Sequence, residues 1–270
     1  MVDLCLATVT RVTLEKQQST RSVYAVEIAV VLLLSLGQSA IYSIVSLTAK
    51  LTAGKPLAAQ TATLNASVSP RPYLDLTYQI LGIFFDLIPV ALALYLLWRD
   101  HTSPSRELGI DYRRPRFDLG WGFGLAAGIG IPGLLLVYAA LRLGINAQIV
   151  PSALNSYWWT VPVLILSAVQ NAVLEEVVVV GYLITRLRAL NLSPVWLIAC
   201  SAVLRGSYHL YQGFGAFVGN AIMGVVFALF FLRTRRVMPL IVAHSLLDIT
   251  AFVGYALLPD SLLTWLKISA

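Results

Sequence analysis

Long apolar runs alternate with short polar connections along the whole chain. They lie near 24–49, 74–98, 118–141, 157–185, 194–212, 214–232 and 238–259. Each can cross a hydrocarbon core of about 30 Å, which takes about 20 helical residues. The pattern therefore predicts an all-α polytopic membrane helix bundle of about seven transmembrane helices, because a backbone in lipid must satisfy its own hydrogen bonds. The longest connections, 50–73 and 99–117, are too short to hold a soluble domain. The first 22 residues, with Arg11, Glu15, Lys16 and Arg21, have no apolar stretch ending in a cleavage site and read as a polar tail rather than a signal peptide. Gly120, Gly124 and Gly128 form a ridge of small residues in the third run, which predicts close helix packing there.

Composition narrows the class further. With 58% apolar and 12% charged residues, the chain is far more apolar than a soluble domain of 270 residues. The cysteines, Cys5 and Cys200, give no disulfide framework and no thiolate zinc site. The net charge of +6 is a matter of topology: most Lys and Arg residues fall in the N-terminal tail, the 99–117 connection, the Arg186/Arg188 turn and the Arg233/Arg235/Arg236 turn. The alternate connections hold Lys50, Lys55, Arg71 and Arg142, with Lys267 near the C-terminus. That bias predicts a cytoplasmic N-terminus. No basic face with interleaved aromatics indicates nucleic acid, so the excess charge is attributed to orientation and to the lipid bilayer. Trp98, Trp121, Trp158, Trp159, Trp196 and Trp265 fall near expected interfaces.

Against this background five ionisable residues stand out: Glu175, Glu176, His209, His244 and Asp248. Intramembrane charge is costly and marks function. At about 1.5 Å per residue from the expected cytoplasmic helix ends, Glu175, His209, His244 and Asp248 share a slab about 10 Å deep, so three helices can converge on one site. His244 and Asp248, four apart, share a helical face. Glu175 and Glu176, about 100° apart on a helix, are not expected to enter the same cleft, so one glutamate alone should act as a base. Among the other polar residues, Asp86 is open to either an interhelical hydrogen bond or a site role. Asn171 and Asn220 read as interhelical hydrogen-bonders, with lining of the site cavity as the alternative, and Glu27 as interfacial.

The segment Glu175-Glu176-Val-Val-Val-Val-Gly181-Tyr182-Leu183, then Tyr208-His209-Leu210-Tyr211-Gln212-Gly213, Gly219-Asn220, Arg233-Thr234-Arg235-Arg236 and Pro239-Leu240-Ile241-Val242-Ala243-His244-Ser245-Leu246-Leu247-Asp248 resembles the CPBP family. These are the CAAX prenyl endopeptidases and bacteriocin-processing proteins, also called Abi proteins. The likeness covers a four-helix core at 155–258, and residues 1–154, a tail and three helices, lie outside it. The family pattern is a glutamate pair followed by an arginine, then Phe-x-x-x-His, then His-x-x-x-Asn/Asp. Two positions depart: Val180 stands where the arginine is expected and Arg205 where the phenylalanine is expected. Arg205 is four residues before His209, so it shares that face and reads as a transplanted countercharge for the glutamates.

The resemblance implies an intramembrane endopeptidase acting on a membrane-associated peptide or protein, in the plasma (inner) membrane of a bacterium. Glu175 would be the base, His209 would share its water, and His244 and Asp248 would serve the oxyanion or the scissile carbonyl. Glu176 would pair with Arg205, and Asn220 would support the site electrostatically. Glu175, His209 and His244 also match a catalytic zinc ligand set, and the family is commonly labelled metalloprotease. A zinc cofactor and a metal-free glutamate mechanism both remain open on sequence. The alternative function is a non-catalytic membrane scaffold or immunity-type binding protein. A proton-coupled transporter would show repeated halves, which the chain lacks. Sequence does not define the oligomeric state.

Overall fold

A computed structural model describes residues 21–100 and 103–257. The polar-tail reading of the first residues, Cys5, Trp265 and Lys267 fall outside the described residues.

The membrane-crossing elements are helical, as the apolar pattern requires. Helix α1 (Arg21–Leu33) meets α2 (Leu36–Leu51) at a bend of 53°. The break has a local cause: the Ser35 hydroxyl donates to the Val31 carbonyl at 2.6 Å, and Gly37 lies tight against the Leu32 carbonyl. Helices α3 (Pro72–Asp86) and α4 (Ile88–Arg99) form one span interrupted at Leu87, because Pro89 cannot donate to the helical ladder. After the short α5 (Pro104–Glu107) comes α6 (Pro115–Arg142), which packs along the last helix.

The next span is continuous but irregular. Helix α7 (Thr160–Glu175) passes into a π-helical segment, Glu176–Tyr182, and then into α8 (Leu183–Ala189). The π segment coincides with Val177–Val180, four β-branched residues with poor α-helical propensity, all buried in the core with Phe227 and Phe231. Helix α9 (Pro194–Tyr208) stops at a 3-10 turn, Leu210–Gln212, and Gly213 at φ 124° reverses the chain into α10 (Phe214–Thr234). Asn146 closes the start of α10, its Oδ1 accepting from the Gly215 and Ala216 N–H groups at 2.9 and 3.2 Å. Helix α11 (Met238–Leu257) completes the described bundle.

Among the described residues, five helices are long and apolar enough to cross a membrane, or six if the bent α1–α2 pair is one span. Helix α9 occupies the predicted fifth position, but its 15 residues extend only about 22 Å, short of a full hydrocarbon core.

Four further details differ from the pattern-based expectation. Two connections form a parallel pair, β1 (Thr61–Ala66) with β2 (Gln148–Ala153), tying the α2–α3 segment to the α6–α7 segment. The ridge Gly120, Gly124 and Gly128 faces open space. The close approach of α6 to α11 uses Gly122 instead, where an added Cβ would lie 2.4 Å from Val242. The face of α6 that packs is therefore a different one from the expected ridge. Trp159 is buried and stacked on Tyr157 rather than interfacial. Glu27 is also buried, bonded by Arg99 and Arg186.

Candidate active site

Helices α7, α9 and α11 bring Glu175, Glu176, Arg205 and His244 together. The side chain of Arg205 has a structural reason for its place: α9 and α10 form a close antiparallel pair in which Gly224 lies against Ala202, and a Cβ there would come within 3.4 Å of the Arg205 stem. The guanidinium is fully buried, with Phe227 stacked 5.2 Å beneath it. Its Nη2 donates to Glu176 Oε1 at 2.6 Å, and its Nη1 lies 3.6 Å from Glu175 Oε2. A guanidinium in this setting needs carboxylate partners.

His244 is the second cation-forming group at the carboxylates. Its Nδ1 is 2.7 Å from Glu176 Oε1 and 4.0 Å from Glu175 Oε2, while Nε2 is 3.6 Å from Asp248 Oδ2. Asp248 is itself hydrogen-bonded by Asn171. His209 closes α9: its Nδ1 faces the Arg205 carbonyl at 3.0 Å, its ring lies tilted against Tyr208, and it lines the adjoining cavity.

As expected, only one of the two glutamates enters the cavity, although their carboxylates converge on the same cations. Both carboxylates reach one cluster with Arg205 and His244. They differ in access: Glu176 is 0% exposed, whereas Glu175 is 8% exposed and borders a cavity of about 830 Å³. The reason lies in the backbone. The pair straddles the change from α to π geometry, where the wider turn alters the angle between successive side chains.

The cavity also touches Gln38, Tyr42, Asp86, His209 and Asp248. Its α2 wall carries two adjacent polar rows at four-residue spacing, Ser35, Ser39, Ser43 and Gln38, Tyr42, Ser46. That periodic stripe was visible in the sequence, but it lies outside the segment that carries the family resemblance. Tyr208 is another residue that pattern reading left without a role. Its hydroxyl donates to Glu175 Oε2 at 2.7 Å, and its three-residue spacing from Arg205 is the signal that it faces the same way. Asn171, four residues before Glu175, lines the cavity and makes the expected interhelical hydrogen bond, to Asp248. Asn220 is not brought to the cluster; its amide donates to the Ala216 carbonyl of its own helix at 3.0 Å.

The zinc ligand set also changes. Glu175, Glu176 and His244 offer ligand atoms within 4.8 Å of one another, and His209 is not in this group. These donors do not fit a divalent cation well. The Arg205 guanidinium already bonds Glu176 and faces Glu175, and His244 Nδ1 is directed at Glu176. A zinc ion among them would sit against a fixed positive charge.

The fold and the cluster define a polytopic membrane protein with a buried glutamate–arginine–histidine centre that opens into an internal cavity. Residues 157–250, about a third of the chain, match the family described as type II CAAX prenyl endopeptidase Rce1-like, which supports the resemblance to the CPBP intramembrane proteases. No curated protein and no solved structure matches the chain.

Proposed function

We propose that the protein is an intramembrane endopeptidase that hydrolyses a peptide bond of a membrane-associated protein. The observation that carries this reading is the access of Glu175: the carboxylate borders a polar intramembrane cavity beside His209, while Tyr208, Arg205 and His244 surround it from behind. Water in that cavity would give a proton to Glu175 as its oxygen bonds to the scissile carbonyl carbon, with His209 orienting the water. His244 and Arg205 supply positive charge next to the carbonyl oxygen as it becomes an oxyanion. Breaking of the carbon–nitrogen bond then returns the proton from Glu175 to the departing amine. Asp248 positions His244. The Arg205 contact that disfavours zinc supports a reaction run by these side chains alone.

The orientation belongs to the same proposal. The arginine-rich segments 99–117 and 233–236 would be cytoplasmic and 50–73 exocytoplasmic. Cysteine labelling that places residues 60 and 110 on one side would overturn it.

The activity is tested by comparing new polypeptide ends in membranes of cells that make the wild type or Glu175→Gln. Glu175-dependent ends are expected at equal protein abundance. Identical sets of ends would favour the scaffold reading instead.

A further inference from the structure

The cavity at Glu175 continues into a second one that the proposed chemistry does not use. The second has a volume of about 490 Å³ and is walled by β1, α3 and α7. The two share Leu64, Asp86, Gln170, Asn171 and Tyr211, so they form one passage from the β1 strand to the active-site residues.

The strand borders it in a particular way. Thr63, Leu64, Asn65 and Ala66 all line the second cavity. Successive strand residues point to opposite faces, so a cavity reached by four in a row runs along the strand edge rather than over one face. Which edge is settled by register. Thr61 pairs with Gln148, and the Gln148 N–H donates to the Gln60 carbonyl. In a parallel ladder this pattern turns the backbone groups of Ala62 and Leu64 toward β2, and those of Thr61, Thr63 and Asn65 away from it. Among the described residues the sheet has two strands, and no strand lies beside the outward groups of Thr63 and Asn65.

We infer that the passage is a substrate channel in which an extended stretch of the polypeptide substrate docks as a third strand on the free edge of β1 and runs past Asp86 to Glu175. The inference rests on the protease reading. An open edge is a template for strand addition, and main-chain hydrogen bonds bind an extended peptide with little dependence on its side chains. Cleavage needs that extended form, because a helical segment keeps its carbonyls in its own ladder. Asp86 strengthens the assignment of a polar occupant: it lines both cavities, and no hydrogen bond or ion pair engages its carboxylate among the described residues. Such a group suits a substrate amide or a cationic side chain better than a lipid chain.

The test uses Thr63→Pro, which removes an outward N–H without touching the β1–β2 ladder. Thr61→Pro, at the start of the strand and outside the cavity lining, is the control. The probe is a synthetic peptide spanning a cleavage site mapped for the wild type, presented in phospholipid vesicles with the purified protein. Thr63→Pro is expected to lower kcat/KM at least tenfold, mainly through KM, while Thr61→Pro stays within twofold of wild type. Because Thr63→Pro can fail to fold, amide hydrogen exchange is read in parallel on Glu175→Gln with the same peptide. Slowing at Thr63 and Asn65, with no slowing at Thr61, supports the docked strand. Wild-type cleavage with unchanged exchange at Thr63 and Asn65 overturns strand docking and leaves the protease intact. The absence of any Glu175-dependent cleavage overturns both.

Discussion

Arg205 Nη2 lies 2.6 Å from Glu176 Oε1, and both side chains are completely buried. The pair joins α9 to the π-helical segment after α7, and it stands where the family pattern has its arginine on the other helix. In the π segment the Leu183 N–H bonds to the Val178 carbonyl, five residues back, so each turn takes in more residues than the 3.6 of an α-helix. Val180, five after Glu175, is thus turned closer to that glutamate's side than it would be in an α-helix. A cation sent from position 180 and one sent from position 205 can reach the same two carboxylates.

Arg205→Phe should therefore destabilise the protein by about 3–5 kcal/mol, the cost of removing one partner of a desolvated ion pair. Arg205→Phe combined with Val180→Arg should recover part of that loss. Thermal unfolding in detergent measures both, and a double variant no more stable than the single one would refute the exchange of roles.

The glycine contacts on α6 separate packing from composition. Gly122→Ala should cost about 1–3 kcal/mol, since the new methyl meets Val242. Gly124→Ala meets nothing within 4 Å and should leave stability unchanged or raise it by less than about 1 kcal/mol. Equal effects from the two would mean that α6 packs on α11 by another face.

Removal of divalent metal should leave cleavage intact. The Glu175, Glu176 and His244 donors are held by a guanidinium and by one another. Purified protein should carry no stoichiometric zinc and keep its activity in strong chelator. Activity lost with chelator and regained with zinc alone would show that Arg205 moves away from the carboxylates.

Outside the membrane spans, Asp111 offers a pH test. The Arg113 N–H and the Arg236 guanidinium, at 3.0 Å each, hold its carboxyl below the usual carboxylate range. In the unfolded chain the group titrates near about 3.9. A folded value below that means the contribution is fully present above about pH 4 and is lost as pH falls through the lower, folded value. The difference in Tm between wild type and Asp111→Asn should thus be flat from neutral pH to about pH 5 and shrink below about pH 4. A gap that widens on acidification would show that Asp111 is not stabilised as the anion.

The apolar runs and most of the helices they form were determined by sequence alone, and so was each site residue's position along its helix. Hydrophobic length and helical rise are local properties, and a residue's distance along its helix needs no knowledge of its neighbours. The countercharge role of Arg205 was legible too, because its position four residues before His209 sets its direction. Tertiary structure decided what local periodicity cannot encode. It converted a regular helix at Val177–Val180 into a π turn, which brought Glu176 into the same cluster as Glu175. It selected Gly122 over Gly124 by the face that α11 happens to cover. It also paired β1 with β2 across more than 80 residues of chain, a register set by which connections meet once the helices have packed. Charge type and spacing along one helix can be read in order along the chain. Which of two neighbouring carboxylates touches the cavity depends on the other helices.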